Sequence, residues 1–195
     1  MRASAAEPPE DGDGAGPPPH ADPGAHGPPV VVVMGVSGTG KTTVGELLAE
    51  HLHVPYAEAD DFHSPANIDK MSQGVPLEDA DRWPWLDAIG DWARSRAGHG
   101  GVVSCSALKR SYRDRLRAAA PELFFLHLTG DRALIADRLA NRRGHFMPLN
   151  LLDSQLATLE PLQADERGAA VPVNPGPASV TALALAALGP QPRAG

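Results

Sequence analysis

Apolar residues along this chain occur in two patterns that take turns along the sequence: short continuous runs, which predict strands, and helical spacing, which predicts helices. Short apolar runs at residues 30–34, 101–105, 123–128 and 169–173 predict buried strands, and a mixed run at 54–59 predicts a further short strand. Apolar residues at helical spacing predict helices over residues 43–52, 110–119, 132–141, 149–159 and 178–188. Residues 65–98 form a mostly helical insert, which we expect to break around 74–76 and at Pro84.

The order of these elements predicts the fold class. Strands that alternate with helices form a parallel sheet covered on both faces, so we expect a three-layer α/β/α fold with five parallel strands. Ligands of such sheets bind beyond the carboxyl ends of the strands. The segments that fall on this edge are residues 35–42, 58–61, 105–109 and the turn after Val173.

The two ends of the chain differ in composition from the rest. Residues 1–28 contain seven prolines and five glycines but almost nothing large and apolar, which predicts an unstructured tail. Its five acidic residues against Arg2 supply −4 of the net charge of −7. We therefore expect one domain over residues 29–190, with an insert at about 62–98 and a lid at about 141–160, and a short tail at 191–195.

Charge and cysteine content argue against several classes of protein. The domain is only mildly acidic and lacks the basic surface of a general nucleic-acid binder. The N-terminal tail has no apolar core of a secretory signal, and no later stretch has about 18 uninterrupted apolar residues, so no membrane span is predicted. The single cysteine, Cys105, excludes an internal disulfide and fits a reducing, cytoplasmic location.

Residues 35–42 read G-V-S-G-T-G-K-T, which is a complete G-x-x-x-x-G-K-[ST] phosphate-binding pattern. A chance match in a Gly-rich chain is the alternative, but the predicted strand before it and helix after it favour a working loop. Lys41 would reach the β- and γ-phosphates of a nucleotide, and the Thr42 hydroxyl would hold Mg²⁺. The predicted nucleotide-binding residues here are Gly35, Val36, Ser37, Gly38, Thr39, Gly40, Lys41, Thr42 and Thr43.

Two carboxylates follow the second predicted strand. Glu58 and Asp60 lie two residues apart, which places both on the side of the extended chain that faces the loop. A carboxylate there can accept the proton of a substrate hydroxyl or hold a water of Mg²⁺, as phosphoryl transfer to an alcohol requires. A solvated acidic loop is the alternative, and His63 either bonds substrate or caps the insert.

Basic residues gather in two places near the same edge. Lys109 and Arg113 follow the third strand, where they could bind a substrate carboxylate or the transferred phosphoryl group. The densest basic patch consists of Arg138, Arg142, Arg143 and His145. On a mobile lid this patch would neutralise transition-state charge and exclude water. A solvated basic face is the alternative, although the adjacent Gly144 favours a lid hinge.

Six segments, taken together, resemble the thermoresistant-type gluconokinases. They are GVSGTGKT at 35–42, DDFH at 60–63, NIDKM at 67–71, PLEDADRWPWL at 76–86, CSALKRSYR at 105–113 and RGHF at 143–146. The resemblance implies a P-loop kinase of the shikimate and adenylate kinase type, which transfers the γ-phosphate of ATP to the 6-hydroxyl of D-gluconate with Mg²⁺. It also implies a cytosolic homodimer. The chain departs from the family pattern at Ser64-Pro65, because the family has Pro directly after His.

The resemblance further implies roles for individual residues. Asp60 stands where related kinases have the carboxylate that contacts substrate and acts as base, with Lys41 and Arg142 as the other expected catalytic residues. Glu58 would hold Mg²⁺ through water, beside Thr42. The expected additions to the nucleotide site are Arg138 and, in the loop after the last strand that frames adenine in the family, Asn174 with its neighbour Pro175. The expected gluconate-binding residues are Asp60, His63, Arg82, Lys109, Arg113 and His145.

Other functions stay open from the residues alone. A kinase for another small polyol acid, such as shikimate, would carry a glycine-rich turn after the third strand, where this chain has Cys105-Ser106-Ala107. A GTPase-type switch would carry an N-K-x-D motif, which this sequence lacks. A non-catalytic ATP-binding module would tolerate the loss of Asp60. These contrasts favour a small-molecule kinase.

Overall fold

The computed structural model describes residues 27–141 and 149–189, and a parallel sheet organises them. Its five strands are β1 (Val30–Met34), β2 (Tyr56–Glu58), β3 (Gly101–Ser104), β4 (Phe124–Thr129) and β5 (Gly168–Pro172). They lie in the order β2-β3-β1-β4-β5, and every neighbouring pair is parallel. The first strand in the sequence is therefore central, and the loop that follows it emerges at the middle of the carboxyl edge.

Helices cover both faces of this sheet. The described ranges contain α1 (Lys41–Leu52), α2 (Pro65–Ser72), α3 (Asp79–Ser95), α4 (Arg110–Ala119), α5 (Arg132–Asn141), α6 (Leu149–Thr158) and α7 (Pro177–Leu188). One apolar core joins the sheet to α3 and α4, and a second joins its other face to α1 and α7. The predicted three-layer α/β/α fold is thereby confirmed. No helix in the described ranges is long and apolar enough to cross a membrane.

A third, smaller core lies beyond the carboxyl edge of the sheet. It consists of Val36, Leu108, Ile135, Leu139 and Leu152, all buried. These residues come from the phosphate loop, from the turn after β3, and from α5 and α6. Burial of aliphatic side chains contributes on the order of 1.5–3 kcal/mol each, so this core fixes α5 and α6 against both loops.

Of the two breaks that the sequence predicts in the insert, the one at Pro84 is absent. Pro84 lies inside α3, which runs unbroken from Asp79 to Ser95. A proline in the second turn removes one backbone hydrogen bond, to the carbonyl of Ala80. The buried residues Trp85 and Leu86 that follow it pack into the core and hold the helix in place. The break predicted around residues 74–76 is present, because α2 ends at Ser72 and α3 begins at Asp79.

Candidate active site

The phosphate loop connects β1 to α1, and α1 begins at Lys41, two residues before the predicted start. Gly38 has a φ of 86°, and a Cβ atom on it would lie 2.8 Å from Cγ of Leu139. Only glycine fits both this left-handed backbone and this close approach to α5. Within the loop, Thr39 Oγ1 donates to the Val36 carbonyl at 2.8 Å. The loop conformation is thus determined by its own contacts and by α5.

Two motif side chains have partners within the site. Lys41 Nζ donates to the Val36 carbonyl at 3.2 Å, across the loop. Thr42 Oγ1 donates to Glu58 Oε2 at 3.0 Å. The Thr42–Glu58 contact gathers hydroxyl and carboxylate oxygens next to the start of α1.

Tyr56, which belongs to no predicted site, supports the same carboxylate. Its hydroxyl donates to Glu58 Oε2 at 2.7 Å and lies 2.8 Å from Ser104 Oγ. Burial raises the pKa of Tyr56 well above its ordinary value, and the neighbouring Glu58 adds to the rise, so the phenol stays protonated and donates. Tyr56 precedes Glu58 by two residues on the same strand, and that alternation was the available signal.

A cavity of about 640 Å³ opens in front of the loop. Its wall includes Lys41, Thr42, Glu58 and Asp60, together with Trp85, Ser106, Arg138 and Gln155. Asp60 is exposed, in a short 3₁₀ turn over Ala59–Phe62 that follows β2. The structure therefore brings the phosphate loop and the two predicted carboxylates to a single cavity.

The insert positions His63 beside this cavity. The His63 ring stacks on Trp85 with ring centroids 4.6 Å apart, and Trp85 Nε1 donates to the Ala59 carbonyl at 2.7 Å. His63 Nδ1 lies 3.3 Å from Nδ2 of the buried Asn67. Burial lowers the pKa of His63 below 6.5, against the opposing effect of Asp60, so the imidazole is neutral at pH 7.

A cluster of polar side chains joins the start of α3 to the turn after β3. Lys109 Nζ donates to both carboxylate oxygens of Asp79 at 2.9 Å, and Tyr112 donates to Asp79 Oδ1 at 2.5 Å. Arg82 Nη1 donates to the Tyr112 hydroxyl at 3.1 Å. The hydrogen bonds from Tyr112 and Lys109 lower the pKa of Asp79. Lys109 and Tyr112 thus hold the Asp79 carboxylate directly, and Arg82 joins the cluster through the Tyr112 hydroxyl.

Arg113, predicted to bind substrate, belongs to the framework instead. Its side chain is fully buried, and its Nε and Nη2 donate to Glu166 at 2.6 and 2.9 Å. The remaining N–H groups donate to the carbonyls of Ala107, Leu108 and Pro161. All five guanidinium donors are therefore engaged inside the protein, and none is directed to a ligand.

Arg138 lies between the phosphate cavity and a second cavity of about 250 Å³. Its Nη2 donates to the Val173 carbonyl at 2.5 Å, at the end of β5. The apolar lining of the second cavity includes Val44, Val173, Pro175 and Val180. Asn174 is exposed and does not line this cavity, whereas its neighbour Pro175 does. Arg142 and His145 lie outside the described residues.

Gln155 contacts the phosphate loop directly, although no sequence motif includes it. The backbone N–H of Ser37 donates to Gln155 Oε1 at 2.7 Å, and Gln155 Nε2 donates to Ser37 Oγ at 3.2 Å. The two residues are 118 positions apart in the chain. No local pattern predicts such a contact, because it depends on how α6 packs over the loop.

Comparison with known proteins identifies close relatives. A family profile described as an AAA domain matches residues 30–162. The gluconokinase of Gluconobacter oxydans is 55% identical over 141 residues, which cover 71% of this chain and 79% of that protein. The thermosensitive gluconokinase of Escherichia coli is 48% identical over 138 residues, covering 70% and 74%.

Solved structures agree with these relatives. A gluconokinase from Sinorhizobium meliloti has a TM-score of 0.76 and 52% identity, covering 83% of this chain and 91% of that one. An APS kinase from Mycobacterium tuberculosis, at 15% identity and a TM-score of 0.60, shares the fold. With its complete phosphate loop and these similarities over most of its length, the chain belongs to the gluconokinase family of P-loop kinases.

Proposed function

We propose that this chain transfers the γ-phosphate of ATP to the 6-hydroxyl of D-gluconate, giving 6-phospho-D-gluconate and ADP. The observation that carries the proposal is the shared cavity, in which an exposed carboxylate, Asp60, faces a complete phosphate loop. A kinase for an alcohol needs both of these parts in one place. The names of the relatives supply the acceptor, since they are gluconokinases of 48–55% identity.

Nucleotide binding would use the loop and the second cavity. The backbone of residues 35–43 would bind the phosphates with Lys41, aided by the dipole of α1. The apolar second cavity behind the loop suits a purine base, and Arg138 lies between it and the phosphates. Pro175 is the better candidate than Asn174 for contact with the base, because Pro175 lines this cavity.

The residues beside the loop fit Mg²⁺. Thr42 and Glu58 offer hard oxygen ligands whose atoms already lie 3.0 Å apart. In the described ranges, no three His, Cys, Asp or Glu side chains group into a metal site, so a Mg²⁺ ion here would take its other ligands from phosphate and water. Bound there, the ion would neutralise negative charge on the phosphates. Tyr56 keeps the Glu58 carboxylate in position.

Acceptor binding would use the side of the cavity formed by the insert. Asp60 would orient the 6-hydroxyl and accept its proton. His63, neutral and stacked on Trp85, would bind a hydroxyl group as donor or acceptor. Arg82 and Lys109 would bind the carboxylate of gluconate, since Lys109 already binds the carboxylate of Asp79 and Arg82 belongs to the same cluster through Tyr112.

Some parts of the proposal rest on the family resemblance alone. Arg142, Arg143 and His145 would act on a lid at about 141–160, with Arg142 stabilising the transferred phosphoryl group. The chain would work as a cytoplasmic homodimer. We also propose a single kinase domain over residues 29–190.

The test is a coupled assay of ADP release with D-gluconate, shikimate, gluconolactone and AMP as acceptors. We expect turnover with gluconate at least about 100-fold above the others, since a site that hydrogen-bonds many hydroxyls rejects analogues that lack them. Phosphorus NMR of the product should place the phosphate on C6. Lys41→Ala is the control and should lose turnover. An enzyme that hydrolyses or transfers phosphate without any response to gluconate would contradict the proposal.

A further inference from the structure

We infer that Gln155 binds the terminal phosphate of the nucleotide and thereby distinguishes ATP from ADP. This inference rests on the proposed function in one respect, which is that the loop binds ATP. It starts from the reciprocal contact in which the Gln155 side-chain amide pairs with both the backbone N–H and the hydroxyl of Ser37. Both residues line the phosphate cavity.

The position of Gln155 is fixed by packing. Leu152 lies three residues earlier on α6, hence on the same helix face, and it is fully buried in the third core beside Val36. Arg132 of α5 pairs with Asp153 of α6 at 2.6 Å. The half-buried Gln155 side chain therefore projects from a helix that is anchored to the loop it contacts.

The contact lies at the terminal-phosphate end of the loop. The peptide group between Val36 and Ser37 presents its carbonyl to Lys41 Nζ at 3.2 Å and its N–H to Gln155 at 2.7 Å. In this motif the lysine reaches the β- and γ-phosphates. A single peptide group thus separates Gln155 from Lys41 Nζ, which lies where the β- and γ-phosphates bind.

The donors in this contact match a phosphate group. Phosphate oxygens only accept hydrogen bonds, whereas the Ser37 N–H and Gln155 Nε2 both donate. When a γ-phosphate arrives, Ser37 releases Gln155 Oε1 and both donors turn to phosphate oxygens. ADP has no γ-phosphate and leaves the Ser37–Gln155 pair intact. The amide is also uncharged, so it can approach an anion without the repulsion that a carboxylate would produce.

The experiment measures nucleotide binding by calorimetry, without acceptor, using ADP and the non-hydrolysable β,γ-imido analogue of ATP. In Gln155→Ala we expect the analogue to bind about 10-fold more weakly, which is the usual loss for one hydrogen bond to a charged group. In Gln155→Glu the loss should be larger, because a like charge is added. ADP should bind both variants within about twofold of the unaltered protein, as expected when no contact changes.

Gln163→Ala is the matched control, since this exposed glutamine follows α6 and its side chain donates to the nearby Pro161 carbonyl and not to the phosphate loop. Equal weakening of ADP and analogue in the Gln155 variants would mean a structural role and would overturn the inference. Tighter binding of the analogue would overturn it too, because the amide would then only compete for Ser37. Absence of gluconate turnover alone would affect the proposed function and leave this comparison valid.

Discussion

Glu58 and Asp60 are two residues apart, yet they have different surroundings. Glu58 accepts hydrogen bonds from Thr42 and Tyr56 at the same oxygen, Oε2, so that oxygen is already engaged beside the hydroxyl that we propose to bind Mg²⁺. Asp60 is exposed to the cavity. A proton acceptor for substrate needs an open carboxylate, and this difference favours Asp60 as the base and Glu58 as the metal residue.

Asp60→Asn tests that assignment. The amide cannot accept the proton, so we expect kcat with gluconate to fall by about 100-fold or more, while KM for ATP stays within about threefold. Steady-state kinetics with both substrates varied will separate these effects. Asp61→Asn is the matched control on the adjacent exposed residue and should retain activity. An unchanged kcat in Asp60→Asn would leave that carboxylate with a binding role only.

His127 predicts a pH dependence of stability. It is buried on β4, its Nε2 has no hydrogen-bond partner among the described residues, and burial lowers its pKa below 6.5. Arg113 adds to the lowering. The unfolded chain therefore takes up a proton at this residue before the folded protein does, so the free energy of unfolding decreases as pH falls through 6.5.

Denaturant unfolding at pH 7.5 and pH 5.5 will measure this effect. We expect His127→Leu to lose less stability between the two pH values than the unaltered protein, because the titrating group is gone. His51→Gln, at an exposed position on α1, should behave like the unaltered protein. Equal losses in His127→Leu and the unaltered protein would show that His127 does not cause the pH dependence.

At the scale of elements, the buried Arg113–Glu166 pair joins three segments. It links α4 to the segment before β5, and the arginine also holds the Ala107 and Leu108 carbonyls of the turn after β3. Ala107 has a φ of 42°, which is unusual for a residue other than glycine. The arginine therefore stabilises a strained turn, and Lys109 follows Ala107 in this turn by two residues.

Glu166→Gln should be strongly destabilising, because it leaves the Arg113 charge buried without its counterion. We expect a loss of roughly 3–5 kcal/mol, observed as a Tm lower by about 6–20 °C. Glu122→Gln is the control, because the pair of Glu122 with Arg167 is exposed, and its loss should be below about 1 kcal/mol. Equal Tm shifts in the two variants would contradict a special role for the buried pair.

At the scale of the whole molecule, the kinase domain should be separable from the N-terminal tail. Pro29 accepts a hydrogen bond from the Gly101 N–H at 3.3 Å, and this bond ties the start of the domain to β3. We expect removal of residues 1–26 to change Tm by less than about 2 °C and to preserve activity.

Removal of residues 1–29 provides the comparison, because it also deletes that hydrogen-bonding carbonyl, and it should lower Tm measurably further. Scanning calorimetry and the coupled assay will measure both truncated chains. Loss of folding after removal of residues 1–26 would show that the tail contributes to the domain.

The sequence predicted the layers of the fold because local patterns determine them. Apolar runs marked β1, β3 and β4, and the phosphate loop marked the functional edge. Prediction from the sequence failed where contacts between distant parts of the chain determine the surroundings of a residue. Arg113 was expected to bind substrate, but its partner Glu166, 53 positions away in the chain, holds it inside the protein. Pro84 was expected to end a helix that its buried neighbours extend. Gln155 gave no signal of its own chemistry, and Tyr56 gave only its position two residues before Glu58 on the same strand.

The anchoring of α6 has a consequence for how the two substrates influence each other. The helix contacts the phosphate loop through Leu152 and Gln155. Just beyond its end, the Glu160 N–H donates to the Leu108 carbonyl at 2.8 Å, and Leu108 belongs to the turn that carries Lys109. If the nucleotide or gluconate displaces α6 on binding, the displacement changes the binding site of the second ligand. Thermodynamic reciprocity then requires each ligand to alter the affinity of the other by the same factor.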